Sequence, residues 1–375
     1  MNKMIASVRR FRRKPAFTGF VLFMAVLVLN IIIQGMSSCA GKTFELGTFL
    51  SFFKPSYLNS LVMTNLPFLL ITIGQALLLI VGEMDVSIGV QIALVNVVCI
   101  MVPQETGCPV WVGWICGLGA ALAASALCGF CCSVLRLPAL LASYAMTYLI
   151  KGVNVLIMDV PQGSVPKAIW KFYQGSVFKA IPNAPGWCKF LDSIPIAGIV
   201  LALVLLGWYF ISKSRFGKHI YAVGTNPRNA YAAGISPVGT KMKAFLIKGV
   251  FVAVAGVALT LMSTSGNPLQ CEEYGIKSLS GAIIGGMGWG GWGSIACGVF
   301  GGGFLVLIQN TVYFFFTYLS KIIPGFAVSS YWQNFASDLI IFGGLLMTIV
   351  TAKEQRETLK QGLKSQFKRG EKIGK

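Results

Sequence analysis

Glu83 and Asp85 stand two residues apart in the tetrad Gly82-Glu83-Met84-Asp85, between two long apolar runs, Leu61 to Val81 and Val86 to Val102. A charged side chain at bilayer depth costs about 2.5–3.5 kcal/mol on insertion scales, so carboxylates placed this way belong at a water-reaching helix break or along a conducting path. The alternative is a tight turn between two spans, outside the membrane. Lys151 is a third charge inside an apolar run. It needs a carboxylate or water, with Glu83 or Asp85 the expected supplier and snorkelling to an interface the alternative. Asn65, Gln75, Gln91, Asn96, Asn154, Gln309 and Asn310 add uncharged amides to runs of the same kind. Scattered polar groups that hold a solute weakly suit a path, because tight binding would slow release. The same amides also suit cross-links between helices, worth about 0.6 kcal/mol each.

The elements that must position these groups follow from composition. Of 375 residues, 55% are apolar and 11% are charged, and the apolar ones fall in long blocks, which predicts an all-α polytopic membrane protein. A helix needs about 20 apolar residues to cross about 30 Å of hydrocarbon. About ten such segments are predicted, near 16–36, 60–81, 86–102, 111–134, 138–158, 194–212, 243–264, 278–288, 294–317 and 331–351. The eighth is too short for a full span and reads as half of a re-entrant or broken helix. Unbroken apolar runs exclude a β-barrel. Gly113, Gly117, Gly119, Gly129, Gly298 and Gly302, with interleaved alanines, read as close-packing positions. Two related halves are expected around the 82–89 and 285–294 breaks.

The net charge of +19 reads as topology rather than nucleic-acid binding. Basic residues crowd 1–15 and 353–375, so both termini are expected in the cytoplasm, flanking one membrane domain over 16–352. The basic segment 213–243 reaches the same side after six spans. The opposite-side segment 159–193 is the exception, carrying Lys167, Lys171, Lys179 and Lys189. The first apolar stretch is too long for a cleaved leader and is expected to be an anchor. Cys39, Cys108, Cys188 and Cys271 fall in predicted outer loops, and spacing does not decide whether they pair.

Catalytic constellations are missing. Gly41-Lys42-Thr43 lacks the earlier glycine of a phosphate loop, and the formal G-x-G-x-x-G at Gly286, Gly288 and Gly291 has neither a preceding strand nor a following acidic residue. His219 is the one histidine, and no serine or cysteine has a partner base. The chain is expected to bind no metal or cofactor of its own.

Within 213–243, Asn226 is placed as an N-cap, Pro227 as the first helical residue and Gly234 as the C-terminal cap. The predicted helix, Pro227 to Ala233, would be about 10 Å long, too short to stand alone in water. It is either a knob that carries force from a second protein or an ordinary structured loop.

Gly82-Glu83-Met84-Asp85-Val86-Ser87-Ile88-Gly89 resembles the G-G-I-D-L-S-V-G signature of ribose-type ABC importer permeases. Leu135-Arg136-Leu137-Pro138 is similar to the family's basic turn. Arg215-Phe216-Gly217-Lys218-His219-Ile220-Tyr221-Ala222-Val223-Gly224-Thr225-Asn226-Pro227 is similar to R-F-G-R-x-I-Y-A-I-G-G-N-P. Ala233-Gly234-Ile235, Gly285-Gly286, Gly290-Gly291-Trp292-Gly293-Ser294 and Trp332-Gln333 follow in order. The resemblance implies a monosaccharide permease in the bacterial inner membrane. It would pair with a second permease copy or homologue, with ABC ATPase subunits that hold ATP and Mg, and with an extracytoplasmic sugar-binding protein. It makes Gly217, Tyr221, Asn226, Pro227, Arg228 and Gly234 ATPase-coupling residues. Glu83 replaces a small or apolar residue of the pattern, Thr225 a glycine and Asp338 a lysine. An ion-coupled secondary transporter using Glu83, Asp85 and Asp338, and an importer permease for a nucleoside or polyol, are the alternatives.

Overall fold

The computed structural model describes residues 15–40, 46–175, 195–323 and 329–351. The terminal basic clusters at 1–14 and 352–375, and Lys179, Cys188 and Lys189, lie outside them. Among the described residues the elements are helices, with a β-bridge between Gln162 and Gly266. Each predicted apolar segment is a helix. In chain order the α-helices are α1 (Ala16–Cys39), α2 (Leu46–Phe49), α3 (Pro55–Val81), α4 (Ile88–Thr106), α5 (Val110–Ser133), α6 (Ala139–Ile157), α7 (Lys167–Gln174), α8 (Ile196–Lys213), α9 (Arg215–Thr225), α10 (Pro227–Ala232), α11 (Pro237–Ser263), α12 (Tyr274–Ile284), α13 (Ile295–Ile322) and α14 (Ser330–Thr351). Among the described residues, eight helices are long and apolar enough to cross a membrane. With 11 residues, α12 covers only about 16 Å and is the half-helix that its short apolar run predicts.

Apolarity on every face identifies the helices that others surround. The centre is α3, where every residue from Leu66 to Val81 except Leu69 is buried, and α11 packs along it. The second layer places α4 and α5 against α11, α13 against α3, and α1 along α13. Small residues make the approaches: Gly113 and Gly117 face α4, Gly129 faces Phe245 of α11, and Gly298 and Gly302 face α3. Gly119 departs from that expectation and faces open space. On the lipid-facing side of the helices large apolar residues are exposed, among them Leu141, Leu156, Leu203 and Phe210, as expected where hydrocarbon replaces water.

The segment between α8 and α11 is more ordered than its composition suggested. Arg215–Thr225 is helical, and α11 begins at Pro237, six residues before the predicted 243. Pro237 occupies the first helical turn and Ser236 caps it by accepting from Gly239 N at 3.2 Å, so the helix starts where its cap stands rather than where the lysines end.

Candidate functional site

Two irregular segments meet inside the bundle. Gly82, at φ 83°, ends α3 in a left-handed turn that an L-residue would resist, and its N–H returns to Leu79 O at 3.1 Å. Helix α4 starts only at Ile88, leaving Glu83, Met84, Asp85 and Val86 outside any α-helix. Between α11 and α12 the chain is also non-helical over 264–273. These stretches touch: Gly89 packs against the carbonyl of Cys271, and Gly275 against that of Val86. Irregular backbone at this depth is tolerated only when the surrounding protein satisfies its polar groups, and the polar side chains do so.

Asp85 is fully buried and fully engaged. It accepts from Ser87 N at 2.8 Å, Ser87 Oγ at 2.5 Å, Gln91 Nε2 at 3.0 Å and Lys248 Nζ at 2.6 Å. Gln91 Oε1 in turn accepts from Lys248 Nζ at 2.8 Å and Ser125 Oγ at 3.1 Å. With its nitrogen turned toward the Asp85 carbonyl, the Gln75 amide donates there at 3.1 Å and accepts the Asp85 N–H at 3.2 Å. Lys248 is the residue that sequence reasoning missed. Eleven residues into α11, it lies about 16 Å from the helix start, halfway through about 30 Å of hydrocarbon. An isolated lysine between Ile247 and Gly249 in an apolar run was the available signal.

Glu83 pairs with Lys241 of α11 at 2.5 Å, nearer that helix's start and partly exposed. The expectation that Glu83 or Asp85 would supply the counter-charge of Lys151 is therefore corrected, because α11 already fills both positions. Lys151 instead bonds both oxygens of Glu272 at 2.8 and 2.9 Å. That pair is 32% and 44% exposed, on the side of α6 where Tyr144 and Tyr148 lie exposed with their hydroxyls 2.9 Å apart. Asp338 faces Lys277 at 3.6 Å, and Lys277 also holds Glu273 at 2.7 Å.

The amides divide by location. Asn96 donates to Thr260 Oγ1 at 3.0 Å and Ser265 O at 3.2 Å, and accepts from Asn267 N at 2.8 Å. Asn154 donates to Val90 O at 3.1 Å and Pro268 O at 3.3 Å. Gln75, Gln91, Asn96 and Asn154 thus surround the two breaks as buried cross-links. Asn65 donates to Leu61 O of its own helix at 2.8 Å. Gln309 is exposed and Asn310 half-buried on α13, away from that network.

The third component is the unit α9–α10. Asn226 Oδ1 accepts from Arg228 N at 3.0 Å and Asn229 N at 3.1 Å, satisfying two of the orphan donors of a helix start. Pro227 sets the first turn. At the other end Gly234 N returns to Tyr231 O at 2.9 Å and Ile235 N to Ala230 O at 3.0 Å. The helix ends at Ala232, one residue before the predicted Ala233. Asn226, Pro227, Arg228, Asn229, Tyr231 and Gly234 are exposed, whereas Ala230 is buried against the bundle. Gly217 packs on the backbone of Ile211 and Ser212, and Tyr221 Oη donates to Gly293 O at 3.3 Å.

The root of this unit stands on the helix break. The final carbonyls of α3 have no partners within their helix. Gly290 N donates to Leu79 O at 3.1 Å and Gly291 N to Ile80 O at 2.7 Å. Gly224 of α9 lies so near that a Cβ there would fall 1.9 Å from Ile80 O and 2.6 Å from Gly291 N. Three backbone segments meet without side chains between them, two residues from Gly82.

Comparison with known proteins fits this arrangement. The family model described as "Branched-chain amino acid transport system / permease component" matches residues 56–349. An inner membrane ABC transporter permease protein of Escherichia coli (strain K12) is 23% identical over 75% of this chain and 80% of its own. The L-arabinose transport system permease protein of the same organism is 29% identical over 65% and 69%. Its ribose import permease protein is 24% identical over 95% and 100%. The family match spans most of the chain's length, and the chain is a multi-pass member of the branched-chain amino acid transport system permease family.

Proposed function

We propose that this chain is the membrane-spanning subunit of an ATP-driven importer that passes a monosaccharide, delivered by an extracytoplasmic binding protein, across the bacterial inner membrane. The relatives named for L-arabinose and ribose supply the substrate class, and the inner-membrane relative supplies the location. The observation that carries the mechanism is the junction of Gly224, Gly291 and Ile80 beneath the exposed helix α10. In this reading an ABC ATPase subunit holds ATP and Mg and grips α10 through Arg228, Asn229 and Tyr231. Its closure moves α9, and α9 moves the end of α3 and the Glu83–Asp85 break. Two such permeases rock against each other, and solute passes between them.

The path is assigned to the exposed Lys151–Glu272 pair and to Tyr144 and Tyr148, since charged groups exposed at membrane depth belong on a water-filled route rather than against lipid. Gln309 and Asn310 are further candidates. The buried amides hold the breaks that shape the route. The ion-coupled alternative is disfavoured because Glu83 and Asp85, the two carboxylates at the helix break, are buried and each paired with a lysine of α11. Uptake of labelled pentose or hexose into proteoliposomes holding this chain, its ATPase and its binding protein tests the proposal. Uptake that requires ATP supports it; uptake by this chain alone down an ion gradient overturns it.

A further inference from the structure

Five charged residues stand on α6, the 264–273 segment, α12 and α14, and ion pairs join them into one row across that side of the bundle. Lys151 bonds Glu272, Lys277 bonds Glu273, and Lys277 also reaches Asp338. The row lies at membrane depth. Lys151 is about 18 Å along α6 and Asp338 about 12 Å along α14. Glu272 and Glu273 adjoin the start of α12, where Gly275 packs on the Val86 carbonyl beside the central break. Lipid does not tolerate so many exposed charges at that depth, so this side of the bundle faces water or protein.

The charges are unequal in number and in exposure. Three are carboxylates and two are lysines, which leaves one negative charge in excess. Lys277 is 17% exposed and stands behind its two carboxylates, Glu273 at 72% and Asp338 at 53%. Lys151, at 32%, is likewise less exposed than Glu272 at 44%. The open charge is therefore mainly carboxylate. Tyr148 and Tyr144 are exposed one and two turns before Lys151 on the same face of α6, and aromatic faces are also negative. A lining of one sign between low-dielectric walls changes the local concentration of a charged solute by about 10–10³-fold, and carboxylate-lined constrictions favour cations.

We propose that this row makes the permease itself a charge filter: it passes neutral and amine-bearing monosaccharides and turns back anionic ones, the sugar acids and sugar phosphates. The filter rests on the assignment of the solute route to the Lys151–Glu272 side of the bundle. It adds a selection by charge that does not depend on which sugar the binding protein delivers.

Charged thiol reagents test the sign of the route in the assembled transporter, reconstituted in proteoliposomes. Ile276 is 63% exposed, lies between Glu273 and Lys277 in sequence, and takes no part in the ion pairs. In the variant Ile276→Cys, labelling by a trimethylammonium and by a sulfonate methanethiosulfonate is followed by peptide mass spectrometry at position 276. Each rate is divided by that reagent's rate with 2-mercaptoethanol. The cationic reagent should be favoured at least about tenfold. Adding Asp338→Lys turns the excess negative charge into an excess positive one and should lower that preference at least about tenfold. Should Asp338→Lys assemble poorly, Asp338→Asn supplies a smaller step in the same direction. Equal normalised rates, or a preference unmoved by either Asp338 variant, would overturn the filter and leave the importer reading standing. Failure of both reagents to reach position 276 in a transporter that takes up sugar would remove the route assignment, and the filter with it.

Discussion

Lys248 Nζ lies 2.6 Å from Asp85 Oδ2, and neither side chain is exposed. The two residues are 163 positions apart in sequence, one on the central face of α11 and the other in the break after α3. Their bond pins an irregular segment to a long helix in the middle of the membrane. The attraction offsets the desolvation of both charges only because Ser87 and Gln91 occupy the remaining carboxylate sites.

Removing one partner should therefore cost more than removing both. Lys248→Met is expected to destabilise the chain by about 3–5 kcal/mol, the range for an uncompensated buried charge. Asp85→Asn/Lys248→Met should regain most of that loss. Thermal unfolding of the purified protein in detergent, arranged as a double-mutant cycle, measures the difference. Equal losses in the single and double variants would show that the pair does not act as a unit.

The junction under α9 predicts a position-specific effect of a single methyl group. Gly224→Ala places a Cβ 1.9 Å from Ile80 O, whereas Gly119→Ala meets nothing within 4 Å. The first should abolish solute-stimulated ATP hydrolysis in the assembled transporter. The second should leave hydrolysis intact and change stability by no more than about 0.5 kcal/mol. Full stimulation in Gly224→Ala would remove backbone contact as the route of force.

Cap chemistry makes a graded forecast for α10. Asn226→Ala removes an acceptor used by Arg228 N and Asn229 N and should cost about 1 kcal/mol, roughly a fivefold shift in the population of the ordered helix. Binding of the ATPase subunit, followed by calorimetry, should weaken by a similar factor. Asn226→Asp, an equally good cap, should restore it.

The exposed pair behaves differently from the buried one. Lys151→Met/Glu272→Gln should leave the unfolding temperature nearly unchanged, because partly exposed ion pairs add little to stability. The same variant should alter the maximal uptake rate while binding-protein affinity for the solute stays constant. A large thermal shift with normal uptake would place this pair in the scaffold.

Depth along the membrane was legible in the sequence, while partnership across it was not. Each of the ten apolar runs falls on a helix, with 278–288 marked as incomplete, and Asn226-Pro227 with Gly234 fixed α10 to within one residue. Hydrophobicity on every face, however, leaves the rotation of a helix undetermined, so nothing local indicated that Lys241 and Lys248 turn toward the Glu83–Asp85 break and Lys151 toward Glu272. The 264–273 break was harder still: its backbone is satisfied by Asn96 and Asn154 from helices more than 100 residues away. The sequence allows those two amides either to line a path or to cross-link helices, and they cross-link. Lys248 was overlooked because the basic residues just before it, Lys241 and Lys243, had already been read as loop charge.

The most direct measurement is site-specific photo-crosslinking from position 231 during turnover. With benzoylphenylalanine in place of Tyr231, the assembled transporter should give a crosslink to the ATPase subunit whose yield changes between nucleotide-free and ATP-bound states. Absence of any crosslink from this position to a nucleotide-hydrolysing partner, in a preparation that is actively transporting, would contradict the account.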